Sequence, residues 1–116
     1  MNKVVLMGRL TKDAELRTTT SGTPIASFTL AVDRSGKNKD GERETDFIYV
    51  SAFGKTAEVV NQYFRKGERM LIEGELRSRT YEKDGERRTI HEVLCLRVEF
   101  VERREKKTEP AEDIPF

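Results

Sequence analysis

Three aromatic side chains lie close together in the stretch Thr45–Phe53, which reads TDFIYVSAF. Because the side chains of a β-strand alternate between its two faces, Phe47, Tyr49 and Phe53 are predicted to share one face. A strand in a small antiparallel domain usually has one face exposed to solvent, and large rings exposed together mark a binding surface. Such rings stack on nucleic-acid bases at about 1–3 kcal/mol each. The stretch therefore predicts a site for single-stranded nucleic acid, the alternative being a strand buried on both faces in a sandwich or a subunit interface.

Residues that could perform covalent or metal chemistry are scarce. The chain has one histidine, His91, and one cysteine, Cys95, and two such side chains cannot supply the four ligands of a structural zinc site. No spacing of the acidic residues suggests a catalytic pair of carboxylates or a metal cluster. We therefore expect structural roles for His91 and Cys95, and a binding protein that is not an enzyme and uses no cofactor or metal. A small nuclease is the enzymatic alternative.

Length and composition indicate one small domain with a heavily charged surface. The chain has 116 residues, of which 35% are hydrophobic and 37% charged, and its mean hydropathy is −0.70. This size fits a single domain. No apolar run approaches the roughly 20 residues that span a bilayer, no signal peptide is apparent, and a single cysteine agrees with a reducing compartment. We expect a cytoplasmic protein without a membrane partner.

Charge is distributed unevenly along the chain. The segment Thr108–Phe116 contains three of the 21 acidic residues and no basic residue, so 22 basic and 18 acidic residues remain in the rest of the chain. A mildly basic body suits a polyanionic ligand, and an acidic tail indicates a role other than binding that ligand. We therefore divide the chain into a nucleic-acid-binding domain, residues 1–102, and a short acidic C-terminal tail, residues 103–116.

Apolar alternation and turn residues predict five strands as the scaffold for the rings. These strands are expected at roughly 4–10, 24–32, 45–53, 70–81 and 87–101. Gly8, inside the first strand, is predicted to mark a sharp bend or a bulge. The residues expected to share the inner faces of the later strands are Ala26, Phe28, Leu30, Val32, Ile48, Val50, Ala52, Met70, Ile72, Leu76, Ile90, Leu94, Leu96, Val98 and Phe100.

One helix is predicted at roughly 56–66, between the third and fourth strands. Its apolar residues recur at helical spacing, with Thr56 as a candidate N-cap and Gly67 as a C-terminal stop. The segment Asp33–Glu44 contains no apolar residue and is predicted to be a long hairpin loop. Its basic residues suggest a clamp over a bound strand, although a solvated loop is the simpler interpretation.

The order of these elements indicates a closed barrel. Five strands are too few for a flat sheet to bury much, and closure removes exposed edges. A five-stranded Greek-key barrel with one helix between strands three and four is the OB-fold. OB-folds bind oligonucleotides across strands two and three and the adjoining loops. Because the three rings lie on strand three, this fold favours nucleic-acid binding over burial of both faces.

Several stretches resemble the bacterial single-stranded DNA-binding protein family, SSB. They are NKVVLMGRLTKDAELR (2–17), FGKTAEVVNQYFRKGERMLIEGELRSRTY (53–81) and DIPF (113–116). The resemblance implies an OB-fold protein that forms a homotetramer, with the strand within 2–10 helping to pair subunits. It implies binding of single-stranded DNA in replication, recombination and repair, in the cytoplasm and at the nucleoid.

The resemblance also implies DNA-binding residues. It implies that Phe47, Phe53 and Tyr81 stack on bases. The strand pattern adds Tyr49 as a further candidate for contact with DNA, and the alternative for Tyr49 is a subunit interface. Phenylalanine stands at position 47, where the family commonly has the larger tryptophan, and the long loop lacks a further family aromatic near Gly36. The basic residues implied along the phosphate path are Arg17, Lys55, Arg65, Lys66, Arg77 and Arg79.

The last residues form an isolated apolar tripeptide beside two acids. The resemblance implies that Asp113, Ile114, Pro115 and Phe116 dock on replication, recombination and repair enzymes. Phe116 would fill an apolar pocket and its carboxylate would meet a basic group, which is recognition of a linear motif. The alternative for this tip is packing against the body of the same chain. For the whole protein, the alternative is an OB-fold RNA-binding or primosomal accessory protein.

Overall fold

The structure, a computed structural model, describes residues 1–101 and contains six strands and one helix there. The predicted tail and its tip lie outside the described residues. No helix within 1–101 is long and apolar enough to cross a membrane. The elements are β1 (Val4–Leu10), β2 (Glu15–Thr18), β3 (Pro24–Asp33), β4 (Thr45–Phe53), α1 (Gly54–Tyr63), β5 (Arg69–Lys83) and β6 (Glu86–Phe100).

Five of the strands close into the predicted OB-type barrel. The sheet runs in the order β1-β5-β6-β4-β3, and β1 pairs again with β3, where Leu10 lies opposite Leu30. The β4–β6 pairing is parallel and the others are antiparallel. The helix lies between β4 and β5, which are the third and fourth strands of the barrel. This arrangement confirms the predicted fold class.

The short strand β2 is an addition to the predicted elements. It pairs with β3 from Glu15 opposite Ser27 to Thr18 opposite Pro24, so it continues along the same edge of β3 as β1. All four of its residues are exposed. Because neither face is buried, the sequence of β2 lacks the alternation by which a strand is recognised.

The core lies inside this barrel and is capped by α1. The fully or almost fully buried residues are Leu10, Ala26, Phe28, Leu30, Val50, Ala52, Ala57, Val60, Phe64, Met70, Ile72, Val93 and Cys95. These confirm the inner faces predicted for β3 and β4, with Ile48 and Val32 packed partly buried against the core. Burial raises the pKa of the Cys95 thiol to about 11, which keeps it protonated at neutral pH.

The predicted inner face of β6 is wrong in its middle. Val93 and Cys95 are buried there, whereas Leu94 between them lines the outer groove beside Phe53 and Leu96 is 53% exposed. Gly74 lies opposite Cys95 and Glu73 opposite Arg97, so Leu96 is the extra residue of a β-bulge. A bulge shifts the alternation by one residue, and Val98 returns to the core side beyond it.

Two predicted core residues, one in the middle of β5 and one at the end of β6, are half exposed. Leu76 lies opposite the buried Val93 but is 49% exposed, because the β5–β6 hairpin continues beyond the barrel. Phe100 is 59% exposed and stacks on Phe64, with 4.6 Å between ring centroids. Both side chains therefore border the core instead of filling it.

The helix is shorter than predicted and begins earlier. It spans Gly54–Tyr63, and Phe53 occupies the N-cap position without a side-chain hydrogen bond, so Thr56 lies inside the first turn and does not cap it. The helix ends because Phe64 adopts an extended backbone, with φ −115°, which turns its ring into the core. Gly67, at φ 87°, belongs to the turn that follows, where its N–H donates to the Leu10 carbonyl.

Two glycines permit close approaches between strands. A Cβ at Gly8 would overlap the Ala31 carbonyl, at the seam where β1 meets β3, and a Cβ at Gly74 would overlap the Leu94 carbonyl beside the bulge. Glycine in a strand often marks such an approach. Gly8 therefore allows the barrel to close, which refines the bend predicted there.

Candidate nucleic-acid interface

Strand β4 presents its rings outward, as predicted. Phe47 is 68% exposed, Phe53 46% and Tyr49 39%, whereas Val50 and Ala52 between them are fully buried. The apolar side of the strand packs in the core, so the side that carries the rings is exposed to solvent. This observation removes the alternative in which both faces of the strand are buried within one chain.

Strand register places Arg17 beside Phe53. Ile25 of β3 lies opposite Phe53 on one side and opposite Arg17 of β2 on the other. Directly opposed residues point to the same face of a sheet, and strands are about 4.8 Å apart. The Arg17 and Phe53 backbones are therefore roughly 10 Å apart on one face, close enough for a base and its phosphate to meet both.

Phe53, Arg77 and Arg79 line one groove of about 390 Å³, together with Ser51, Leu94 and Leu96. These two arginines therefore lie beside the Phe53 ring, and their predicted contact with phosphate stays a prediction. Arg77 donates to Glu75 at 2.9 Å, and Arg79 donates to Glu92 at 3.1 Å. Each guanidinium is oriented by one carboxylate at the edge of a largely apolar groove.

Arg79 also lies near two tyrosines. Its hydrogen bond with Glu92 raises the pKa of Arg79, and Tyr49 and Tyr81 contribute to the same shift. Tyr81 is 37% exposed. Glu92 is mostly buried, and its Oε1 has no hydrogen-bond partner within residues 1–101. The Arg79–Glu92 pair therefore connects the ring face of β4 with the Tyr81 end of the β5–β6 hairpin.

The remaining predicted basic residues surround this face. Lys55 is exposed in the first turn of α1, directly after Phe53 and Gly54. Arg65 and Lys66 lie in the turn between α1 and β5, and the Lys66 N–H donates to Asp13 at 2.8 Å. Asp13 lines a groove of about 370 Å³ together with Tyr49 and Lys12. The turn thus borders the Tyr49 groove instead of the Phe53 groove.

Sequence reasoning missed two arginines near Phe47. Arg9 and Arg69 line a cavity of about 600 Å³ with Phe47, Arg34 and Arg43. Arg9 lies opposite Arg69 across the β1–β5 pairing, and opposite Ala31, whose other neighbour is Phe47. Only this register unites them, since Arg9 and Arg69 come from opposite halves of the chain. The loop arginines Arg34 and Arg43 were predicted as part of a clamp.

The base of the β3–β4 loop is held by ion pairs. Arg34 donates to both carboxylate oxygens of Asp46 and pairs with Glu44 at 2.9 Å. The hydrogen bond from Arg34 lowers the pKa of Asp46, so this carboxylate stays charged at neutral pH. Arg34 is thus occupied by two acids at the rim of the Phe47 cavity.

The described part of the chain offers little for metal chemistry. No group of three or more His, Cys, Asp or Glu side chains suited to hold a metal ion occurs within residues 1–101. His91 is exposed on β6, and the buried Cys95 thiol donates to the Arg97 carbonyl at 3.3 Å.

Comparison with known families matches residues 1–101 to the single-strand binding protein family. The chain belongs to this family. The match covers the whole described domain and confirms the resemblance found in residues 2–17 and 53–81.

Two relatives from Staphylococcus aureus strain Mu50 are each 50% identical to the chain over 103 residues. One is named single-stranded DNA-binding protein 1, and the alignment covers 88% of this chain and 66% of the relative. The other is named single-stranded DNA-binding protein 2, with 88% and 73% covered. The chain therefore spans about two thirds of the length of the first relative, and family membership rests on the domain that both share.

Proposed function

We propose that this protein binds single-stranded DNA without sequence preference and protects it during replication, recombination and repair. The outward rings of β4, set among arginines from three other strands, carry the proposal. Rings accept any base, and cations follow the backbone. The proposed stacking residues are Phe47, Phe53, Tyr81 and Tyr49. The proposed phosphate contacts are Arg17, Lys55, Arg65, Lys66, Arg77 and Arg79.

Titration with oligo(dT), a matched RNA and a matched duplex tests this function. Oligo(dT) is expected to bind tightly, with affinity that falls steeply as salt rises, and the duplex to bind weakly. Equal or tighter binding of the RNA would favour an RNA-binding OB-fold protein instead. Degradation of the oligonucleotide in the presence of magnesium would favour a nuclease.

We further propose that the protein works in the cytoplasm as a homotetramer. Val5 and Met7, on the outer side of β1, are 58% and 49% exposed, and apolar side chains exposed next to one another on a strand suit an interface. Light scattering with and without oligo(dT) measures the number of chains per particle. A particle of one chain at working concentrations would contradict the assembly while leaving DNA binding open to its own titration.

The tip Asp113–Phe116 is proposed to recruit partner enzymes. Deleting these four residues is expected to abolish binding to replication and repair enzymes that the full chain captures. Oligo(dT) affinity is expected to stay unchanged or to rise, because the acidic side chain of Asp113 is removed. Surface-immobilised full-length and truncated proteins measure both. Pro110→Ala, in the same tail, is the control. Capture of the same enzymes by the truncated chain would contradict the proposed role.

Asp46→Asn is expected to tighten oligo(dT) binding severalfold at low salt. The substitution removes one negative charge near Phe47 and loosens the hold on Arg34, and exposed pairs of this kind are worth about 0.2–1 kcal/mol. The gain should shrink at high salt because exposed charges are screened. Asp40→Asn, the same charge change at the turn of the loop, is the control. Equal affinities of wild type and Asp46→Asn at low salt would show that Arg34 does not serve the ligand.

A further inference from the structure

The two arginines of the Phe53 groove are held by their carboxylates in different ways. Arg77 donates from Nε, at 3.2 Å, and from Nη2, at 2.9 Å, to Oε1 of Glu75. Arg79 donates from Nε alone, at 3.1 Å, to Oε2 of Glu92. Among residues 1–101, both terminal nitrogens of Arg79 are therefore without a hydrogen-bond partner, whereas one terminal nitrogen of Arg77 is engaged.

The two carboxylates also differ in their burial. The Glu92 side chain is 15% exposed and the Glu75 side chain 35%. Oε1 of Glu92 is buried and has no hydrogen-bond partner in the described part of the chain. Burying a charged group is costly unless it is paired, and an unpaired buried oxygen calls for an explanation. Stability alone therefore does not account for a glutamate at this position.

The strand register places Glu92 where it can reach Arg79. Glu92 of β6 lies opposite Arg77 of β5, so Arg79 is its diagonal neighbour, two residues along β5 on the same face. Diagonal neighbours are within reach of long side chains. No residue of β1 lines the groove. The groove is therefore distinct from the outer face of Val5 and Met7, which is proposed for contact between subunits.

We infer that Glu92 is a positioning residue that orients Arg79 to bind a DNA phosphate through both of its terminal nitrogens. The inference rests on the proposed function. A guanidinium binds phosphate through two parallel hydrogen bonds, and the two nitrogens that Arg79 leaves unpaired can form them. Holding the side chain through Nε restricts its rotamers before the ligand arrives, so less side-chain entropy is lost on binding. Glu92 itself contacts no DNA in this arrangement.

Two carboxylate deletions are expected to change oligo(dT) binding in opposite directions. Removing an acid from a DNA-binding surface ordinarily tightens binding, because repulsion of phosphate is lost. Glu75→Ala should behave in this way, since it also frees the engaged nitrogen of Arg77. Glu92→Ala deletes the same charge but should weaken binding. Its slope of log affinity against log salt concentration should be smaller than that of the wild type by about 0.7, the contribution of one phosphate contact to a single strand.

Glu92→Gln and a double substitution separate the position of Arg79 from the charge of Glu92. The amide oxygen of glutamine can accept from Arg79 Nε without carrying a charge, so Glu92→Gln is expected to keep the salt slope of the wild type. Arg79→Gln is expected to lower the slope by about 0.7 in the wild-type chain. In the Glu92→Ala background it should lower the slope no further, because both substitutions remove the same contact.

The outcomes separate this inference from the function on which it rests. A wild-type protein that fails to bind oligo(dT) would overturn both. Wild-type binding combined with tighter binding by Glu92→Ala, or with equal salt slopes for Glu92→Ala and Glu92→Gln, would overturn the positioning role alone. An Arg79→Gln slope equal to that of the wild type would also overturn it, since Arg79 would then contact no phosphate. Melting temperatures establish that each titrated variant is folded. Glu92→Leu, which fills the buried volume without an acceptor, replaces Glu92→Ala if alanine unfolds the domain.

Discussion

Replacing Phe47 and Phe53 together by alanine is expected to weaken oligo(dT) binding by about 2–6 kcal/mol, because each ring stacks on a base at about 1–3 kcal/mol. Phe47 is the most exposed ring of β4, and Phe53 lies in the groove with Arg77 and Arg79. Neither side chain belongs to the core. The double substitution therefore removes two stacking platforms while leaving the barrel intact.

Fluorescence or calorimetric titration at several salt concentrations measures this loss. The affinity should fall at every salt concentration while the salt slope stays that of the wild type, because rings neutralise no phosphate. Tyr63→Ala is the matched control, since Tyr63 is 47% exposed on α1 and packs edge-on to Phe100, outside strand β4. Wild-type affinity in the Phe47→Ala, Phe53→Ala variant would show that these rings serve another purpose, such as contact between subunits.

Gly74→Ala is expected to destabilise the domain by about 1–3 kcal/mol or more. The added methyl group would overlap the Leu94 carbonyl, and a backbone atom in a paired strand cannot swing aside as a side-chain end can. Forcing extra volume into packed structure costs about this much. The strain falls where the bulge at Leu96 sets the register of β5 against β6, so the variant must shift the bulge or separate the strands.

Thermal and denaturant unfolding measure the effect. For a domain of this size, each kcal/mol lowers the melting temperature by roughly 4–8 °C. Ser78→Ala, on the same strand but in the solvent-exposed part of the hairpin, is the control and should change the stability by less than about 0.5 kcal/mol. Unfolding of Gly74→Ala at the wild-type midpoint would show that the sheet can accommodate a side chain at this position.

The fold was predictable from the sequence wherever burial leaves an alternating pattern. β3 and β4 have one face in the core and one in water, so the alternation of their apolar residues predicts which face is buried. The residues that it places correctly in the core are Ala26, Phe28, Val50 and Ala52. The bulge at Leu96 was not predictable, because it depends on how the β5 and β6 backbones pair, and a leucine does not reveal which face it occupies. The end of the helix was not predictable either, because the helical spacing of apolar residues continues through Phe64, whereas the helix ends at Tyr63 and the Phe64 ring is buried in the core.

The candidate site was predictable only in part, for a related reason. The rings of β4 are neighbours in sequence, and Arg77 and Arg79 alternate in step with Tyr81 on one strand. The Phe47 cavity instead combines Arg9 and Arg69 through pairing of strands that are distant in the chain. Composition shows that basic residues are plentiful, but only the strand register shows which of them converge on a ring.

The closure of the barrel by β1 has a consequence for the way the chain folds during synthesis. Val4 pairs with Gly74 of β5, which is synthesised only after most of the domain between them. Closing such a long loop is entropically costly, and topologies rich in distant pairings fold slowly. During synthesis β1 therefore has one edge unpaired until β5 emerges, and an unpaired strand edge can associate prematurely with another chain.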